Sequence, residues 1–230
     1  MHDKVGIPIP QYKFIAKDFS FAGYELIQGL QLEKEIFQKL SEPVKKTIAK
    51  QMASFINGMH HVPLSVAKKF QPGMDEANKV YRDTVASTKK LIFPKVSRKH
   101  RQVIEEFLED LKSTLKFPRK AFIHYDLYPS HIFLANNRKS LSGIIDFGDR
   151  AIDDPAIEFC ELWIYGREFV EEVYRLYKGP KDPQFLARSI LYYKRVPIWM
   201  MIDSLKHKKG NFRENYQMFK DIFYNPKTFK

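Results

Sequence analysis

From residue 44 onward the chain repeats apolar side chains at helical spacing: Val44, Ile48, Met52, Phe55 and Met59 follow one another by four, four, three and four positions. That spacing gathers them on one stripe of a helix. Ser41, with Pro43 just inside, supplies a start signal. Val103, Phe107 and Leu111 predict a second helix, ending before Pro118. Phe169, Val173 and Leu176, then Phe212, Tyr216, Phe219 and Phe223, mark two more, and Asp153 or Asp154 before Pro155 reads as a further helix start. Two stretches break the helical period. "YKFIAKDFSFAGYELI", with aromatic and β-branched residues around a polar turn, predicts a short antiparallel pair, after which "QGLQL" leads away. Between residues 121 and 146 the short apolar runs "AFIH", "HIFL" and "SGIID" surround the turn "ANNRKS". The expected class is α+β: a small strand-rich beginning, a mostly helical body, and one strand-and-loop island inside it.

Composition narrows the setting. With 44% apolar and 14% aromatic residues in 230, the chain can bury enough surface to fold as a globular protein. Cys160 is the only cysteine, which excludes an intramolecular disulfide and a zinc site of paired cysteines. The formal charge of +12 attracts polyanions. It is spread over "KKTIAK", "AKKF", "SRKHR" and "KHKKGNFR" without an RNA-binding aromatic signature, so nucleic acid is not an expected partner. "MHDKVGIPIP" has no signal-peptide core and "VPIWMMI" is too short to span a bilayer, so a soluble cytoplasmic protein without a membrane partner is expected.

The island holds the chemistry. Asp126 follows an apolar run in a segment that contains Pro129, and Asp146 ends "GII" just before Phe147 and Gly148, where the glycine allows a sharp change of direction. Two carboxylates on neighbouring loops can divide labour. One accepts a proton from a hydroxyl, and the other holds a divalent cation through hard oxygen. Phosphoryl transfer uses both, because the cation neutralises phosphate charge while the base orients the attacking oxygen.

"HYDLYPSH", followed by "IIDFGD" with its aspartate twenty residues after Asp126, resembles the catalytic segment of the protein-kinase-like fold. Within that fold "IIDFGDRAIDDPAIEF" is most similar to the aminoglycoside phosphotransferase family, closest to the antibiotic kinases that act on a 2''-hydroxyl. "IPIPQYKFIAKDFSFAGYELIQGLQL" is similar to the end of that family's N-terminal lobe and hinge, and "MASFINGMHHVPLSVA" to the helix beyond it. The resemblance covers most of residues 7 to 180. It implies a mostly helical C-terminal lobe over residues 29–230, preceded by a hinge and the last strands of a truncated N-terminal lobe over residues 1–28.

The resemblance also implies roles. Asp126 would be the catalytic base. Asp146 and His131 would hold Mg2+, with His131 where most kinases have Asn. Tyr24, Glu25, Leu26 and Ile27 would line the purine of ATP or GTP, with backbone groups of Glu25 and Ile27 bonding the base. Glu158, Glu161 and Trp163 are candidate contacts to a small-molecule hydroxyl acceptor, an aminoglycoside antibiotic among the possibilities. His124 would brace the loop by hydrogen bonds, Asp149 and Asp154 are expected as caps or loop braces, and His60 and His61 read as a helix C-terminal signal.

The chain departs from the family pattern upstream of the hinge. Only about twenty residues precede it. They contain two glycines, Gly6 and Gly23, and the lysines Lys4, Lys13 and Lys17, too few for a phosphate-covering loop and a strand lysine paired with a helical glutamate. A weak catalyst is therefore expected, and a non-catalytic remnant or binding module is the alternative.

Overall fold

The computed structural model describes residues 5–18, 20–69, 77–116, 120–225 and 229; Lys4 and Pro118 lie outside them. The chain forms two compact units, one of residues 1–71 and 120–181, the other of residues 72–119 and 182–230.

In the first unit β1 (Tyr12–Ile15) and β2 (Ala22–Tyr24) make the expected antiparallel pair, with Tyr12 opposite Tyr24 and a bulge beside it. "QGLQL" does not simply lead away. Leu30–Gln31 forms β3, which pairs with Phe133 and Leu134 of β5 (Ile132–Leu134). Gly29 permits the approach: its φ is +145°, and a Cβ there would meet the Leu134 carbonyl oxygen at 2.3 Å. β6 (Leu141–Ile144) completes a three-stranded sheet in the order β3–β5–β6. The Ala135 amide donates to the Ser140 carbonyl across the predicted turn.

Two helices follow β3: α1 (Lys34–Gln38) and α2 (Glu42–His60). Ser41 is the N-cap residue of α2 and Pro43 sits in its first turn, yet the serine side chain makes no capping bond. Ile48, Met52, Phe55 and Met59 are buried as the spacing requires, and Val44, near the open end, is half-buried. α3 (Leu64–Ala67) is one turn long. Across the island, β4 (Ala121–Ile123) pairs antiparallel with β7 (Ala151–Asp153), so Asp153 closes a strand instead of starting a helix. Asp154 takes the cap: its Oδ1 accepts the Ala156 amide at 3.0 Å at the start of a 3-10 turn, Pro155–Phe159. A second 3-10 turn, Glu161–Tyr165, leads into α6 (Arg167–Leu176), which packs on α2; α4 and α5 belong to the other unit.

In that unit, α4 (Ala77–Ser87) runs into a π-helical turn, Thr88–Ile92, and α5 (Arg98–Ser113), α7 (Phe185–Lys206) and α8 (Phe212–Tyr224) follow. Ser97 caps α5 through its hydroxyl, and Ile104, Phe107, Leu108 and Leu111 form the buried stripe. Trp199 donates its indole N–H to Thr84 at 3.0 Å, and Arg188 grips Asp182 with two bonds of 2.8 and 3.0 Å. Among the described residues no helix is long and apolar enough to cross a membrane.

Candidate active site

All of the island belongs to the first unit. The chain leaves β4 at Ile123 and enters a loop in which Tyr125 has φ +77°, a conformation that costs a non-glycine residue. Asp126 follows, its carboxylate half-buried. A short 3-10 turn, Pro129–His131, carries the chain into β5, and the Ile145 amide donates to the His131 carbonyl at 3.0 Å. The two loops thus meet backbone to backbone. Asp146 also has positive φ, +63°, and its Oδ1 accepts the Gly148 amide at 3.2 Å. That bond fixes one oxygen and leaves Oδ2 facing the other loop.

His131 lies between the carboxylates. Its Nδ1 is 3.1 Å from the Asp126 carbonyl oxygen and 3.2 Å from Asp126 Oδ2, while Nε2 is 3.7 Å from Asp146 Oδ2. Both neighbours of Nδ1 are acceptors, so the proton of a neutral ring belongs there and Nε2 keeps its lone pair on the Asp146 side. The three side chains are 20%, 29% and 56% exposed for His131, Asp126 and Asp146, a gradient from wall to opening. Burial pushes the Asp126 carboxyl above its usual range, opposed by the His131 and His124 rings beside it. A carboxylate shifted this way holds a proton better and is a stronger base.

His124 ties the loops together. Its ring is fully buried, Nε2–H donates to the Ile145 carbonyl at 3.0 Å, and Nδ1 accepts the Asp126 amide at 3.3 Å. Burial holds its pKa below the ordinary histidine value, so it stays neutral, as this pattern of one donor and one acceptor requires. Phe147 packs edge-on against it at 4.6 Å and Phe55 at 5.9 Å.

A cleft of about 920 Å3 opens beside Asp146, lined by Tyr24, Phe122, Ile145, Phe147 and Arg150 among others. Tyr24 therefore shares a cavity with Asp146. Glu25 and Leu26 are exposed, Leu26 to 76%, and half-buried Ile27 packs where a Cβ on Gly143 would stand. The structure does not bring these three onto the cleft wall.

The proposed acceptor contacts divide. Glu158 is wholly buried and turned inward: Oε2 accepts the His124 amide at 2.7 Å and Oε1 the Tyr125 amide at 3.3 Å. It cannot touch an acceptor. Trp163 is only 2% exposed and belongs to the core, with the Arg167 guanidinium over its ring. Glu161 is half-buried, and with Glu33 it raises the phenol pKa values of Tyr128 and Tyr165, although burial is the larger cause in both. Tyr128, two residues after Asp126 and 37% exposed, carries no signal in the sequence that marks it. The reach of Glu158 to the loop of His124 and Tyr125 is also absent from local spacing. Its one legible signal is a carboxylate within the apolar run "PAIEF".

Among the described residues no group of three or more His, Cys, Asp or Glu is arranged to hold a metal ion alone. The donor set still suits a divalent cation shared with phosphate oxygens. It pairs a hard carboxylate oxygen, Asp146 Oδ2, with one imidazole lone pair, leaving most coordination positions to other oxygens.

Comparison with known proteins follows the same lines. A complex of APH(2")-IIia with GDP and kanamycin superimposes with a TM-score of 0.85 at 24% identity, covering 98% of this chain and 79% of that one. A streptomycin–ATP ternary complex of APH(2")-IIa gives 0.66 at 22% identity, covering 96% and 77%. The macrolide 2'-phosphotransferase MphH from Brachybacterium faecium gives 0.69 at 14% identity, covering 97% and 76%. At these identities the likeness establishes a shared kinase-like fold. The model of the phosphotransferase enzyme family matches residues 3–185, from ahead of β1 to the start of α7, and the chain belongs to that family.

Proposed function

We infer that the protein transfers the γ-phosphoryl group of ATP or GTP to a hydroxyl of a small molecule, with aminoglycosides and macrolides as the first acceptors to test. The observation that carries this reading is one imidazole, His131, within 3.2 Å of one carboxylate and 3.7 Å of another on separate loops. Residues 29–230 act as the catalytic lobe, and residues 1–28 serve as the nucleotide-side segment and hinge. Tyr24 supplies a wall to the cavity, which is assigned to the nucleotide; Glu25, Leu26 and Ile27, which stand off that wall, are not assigned a contact.

Asp126 accepts the proton of the acceptor hydroxyl as its oxygen bonds to phosphorus and the bond from phosphorus to the nucleoside diphosphate breaks. The His131 Nδ1–H, 3.2 Å from Asp126 Oδ2, keeps that carboxylate oriented before the transfer. Asp146 Oδ2 and His131 Nε2 would hold magnesium, which when bound neutralises charge on the phosphates. His124 keeps both loops in register. Tyr128, whose phenol feels both Glu161 and Asp126, is assigned with Glu161 to the acceptor side.

The test is magnesium-dependent phosphate release from ATP and GTP, with and without a panel of kanamycin, gentamicin and macrolides whose mass is followed for one added phosphoryl group. Transfer by the wild type, reduced about 10²- to 10⁴-fold in Asp126→Asn, is the expected result. Equal rates in the two proteins would overturn the assignment.

A further inference from the structure

The formal charge of +12 is divided unevenly between the two units. Residues 72–119 and 182–230 hold 21 Lys and Arg against 11 Asp and Glu, while residues 1–71 and 120–181 hold 18 against 16. One unit carries most of the excess. The runs "SRKHR" and "KHKKGNFR", about a hundred positions apart in the sequence, are brought together in it. His100, in the first turn of α5, is hydrogen-bonded through Nδ1 to the Tyr216 hydroxyl of α8, and its ring lies 5.2 Å from that of Tyr224. Arg213 stands one turn before Tyr216 and Lys220 one turn after it. Lys220 Nζ sits 5.3 Å from the centre of the Tyr216 ring, and Lys99 Nζ 5.5 Å from that of Tyr224. Burial, and after it the charges of Lys220 and Lys99, hold the His100 pKa below its ordinary value, so both ammonium groups are close enough for the ring to feel them.

The patch is not neutralised from within. Ion pairs of the unit lie elsewhere, Lys79 with Asp83, Lys112 with Glu109 and Arg188 with Asp182. Among the described residues Arg98, Lys99, Arg101, Arg213 and Lys220 have no carboxylate partner; the first four are exposed and Lys220 is half-buried. Glu106, Glu214 and Asp221, on the same helices, accept the side-chain amides of Gln102, Asn211 and Gln217. Like charges gathered this way repel one another, and an anion from outside relieves the repulsion. Cations alone would suit any polyanion. Rings set among them favour one that alternates phosphates with flat bases: Tyr224 is 38% exposed, and Phe212 stacks on Tyr216 at 5.8 Å. We propose that this surface of α5 and α8 binds single-stranded nucleic acid, the cations taking backbone phosphates and the Tyr224 ring stacking on a base. The binding is independent of the phosphotransfer reading, because Asp126, His131 and Asp146 belong to the other unit.

The experiment titrates the full chain into a fluorescent RNA oligomer of mixed sequence, about 12 nucleotides long, and follows anisotropy between about 50 and 200 mM NaCl. Five phosphate contacts on a single strand give a slope of log affinity against log salt of about −3.5, so the affinity falls about a hundredfold over that range. The triple variant Arg101→Gln, Arg213→Gln and Lys220→Gln brings the slope to about −1.4. A matched triple among exposed lysines of the other unit, Lys34→Gln, Lys39→Gln and Lys68→Gln, removes the same charge and leaves the slope as in the wild type. Tyr224→Leu keeps an apolar side chain beside Phe219 and His100 but removes the flat ring, and lowers affinity about fivefold or more at an unchanged slope. Lack of saturable binding at the lowest salt overturns the proposal. Equal losses in the two triples overturn it too, since net charge alone would then account for binding. Inorganic polyphosphate that binds as tightly as RNA, with Tyr224→Leu without effect, reduces the surface to an unselective anion trap and also overturns it. Circular dichroism checks that each variant folds. Should the first triple not fold, Arg213→Gln at its exposed position decides: a slope shallower by about 0.7 supports the proposal, and an unchanged slope overturns it.

Discussion

Replacing His124 by Leu tests the tie between the two loops with the least change of shape. Leucine fills much of the imidazole volume and keeps part of the contact with Phe147 and Phe55. It offers no polar atom. The Ile145 carbonyl and the Asp126 amide, 3.0 and 3.3 Å from the ring nitrogens, are then left without that partner in a fully buried site. Each buried orphan costs about 1–3 kcal/mol, so the substitution should cost about 2–6 kcal/mol. Greater apolar burial by leucine offsets part of this, which puts the expectation near 3 kcal/mol. With a urea m-value of about 1–3 kcal/mol per M, the midpoint falls by about 1–3 M. Trp163, buried in the same unit as His124, reports the transition by fluorescence once the other tryptophan, Trp199, is replaced by Phe. A midpoint lowered by less than about 0.3 M would refute the reasoning, since neither backbone group could then have depended on the ring.

Three further outcomes follow from the same geometry. His124 titrates below its ordinary pKa of 6.5 because burial disfavours the charged ring, so the unfolded chain binds a proton that the folded chain refuses. The stability this contributes is present above pH 6.5 and is lost as pH falls from there toward the lowered value; urea midpoints at pH 7.5 and 5.5 should differ more in the wild type than in His124→Leu. His131→Asn replaces a ring nitrogen by an amide oxygen facing Asp146, and the Mg2+ concentration for half-maximal hydrolysis should fall while that for Mn2+ rises relative to it. Titrations in which both ions behave as in the wild type would remove His131 from the proposed metal site. Arg188→Ala in the other unit strips Asp182 of a two-bond partner that is 4% exposed, and should cost about 3–5 kcal/mol by Trp199 fluorescence.

Much of the candidate site is legible in the sequence because it is local. Asp126 and His131 are five residues apart in one loop, and Asp146, Phe147 and Gly148 are contiguous, so short-range spacing carries the chemistry. The failures came where a side chain's surroundings are set by distant elements. Glu158 and Trp163 stand in a segment whose polar and aromatic letters suit a binding surface equally well. Their burial follows from the two 3-10 turns and from α2 packing on α6. The β3–β5 pairing joins residues about a hundred positions apart, and no local pattern around Gly29 announces it.

By itself the sequence determined the helical stripes, the period-two island, the glycine turn after Asp146 and the order of the reactive residues, because these depend on neighbours within a few positions. Only the tertiary structure decided which carboxylates face the opening and which face inward. It set Asp126 and Asp146 around one imidazole and buried Glu158 against two backbone amides and His60. The physical reason is that the role of a charge depends on solvent access and on available donors, and both are created when separate elements pack together.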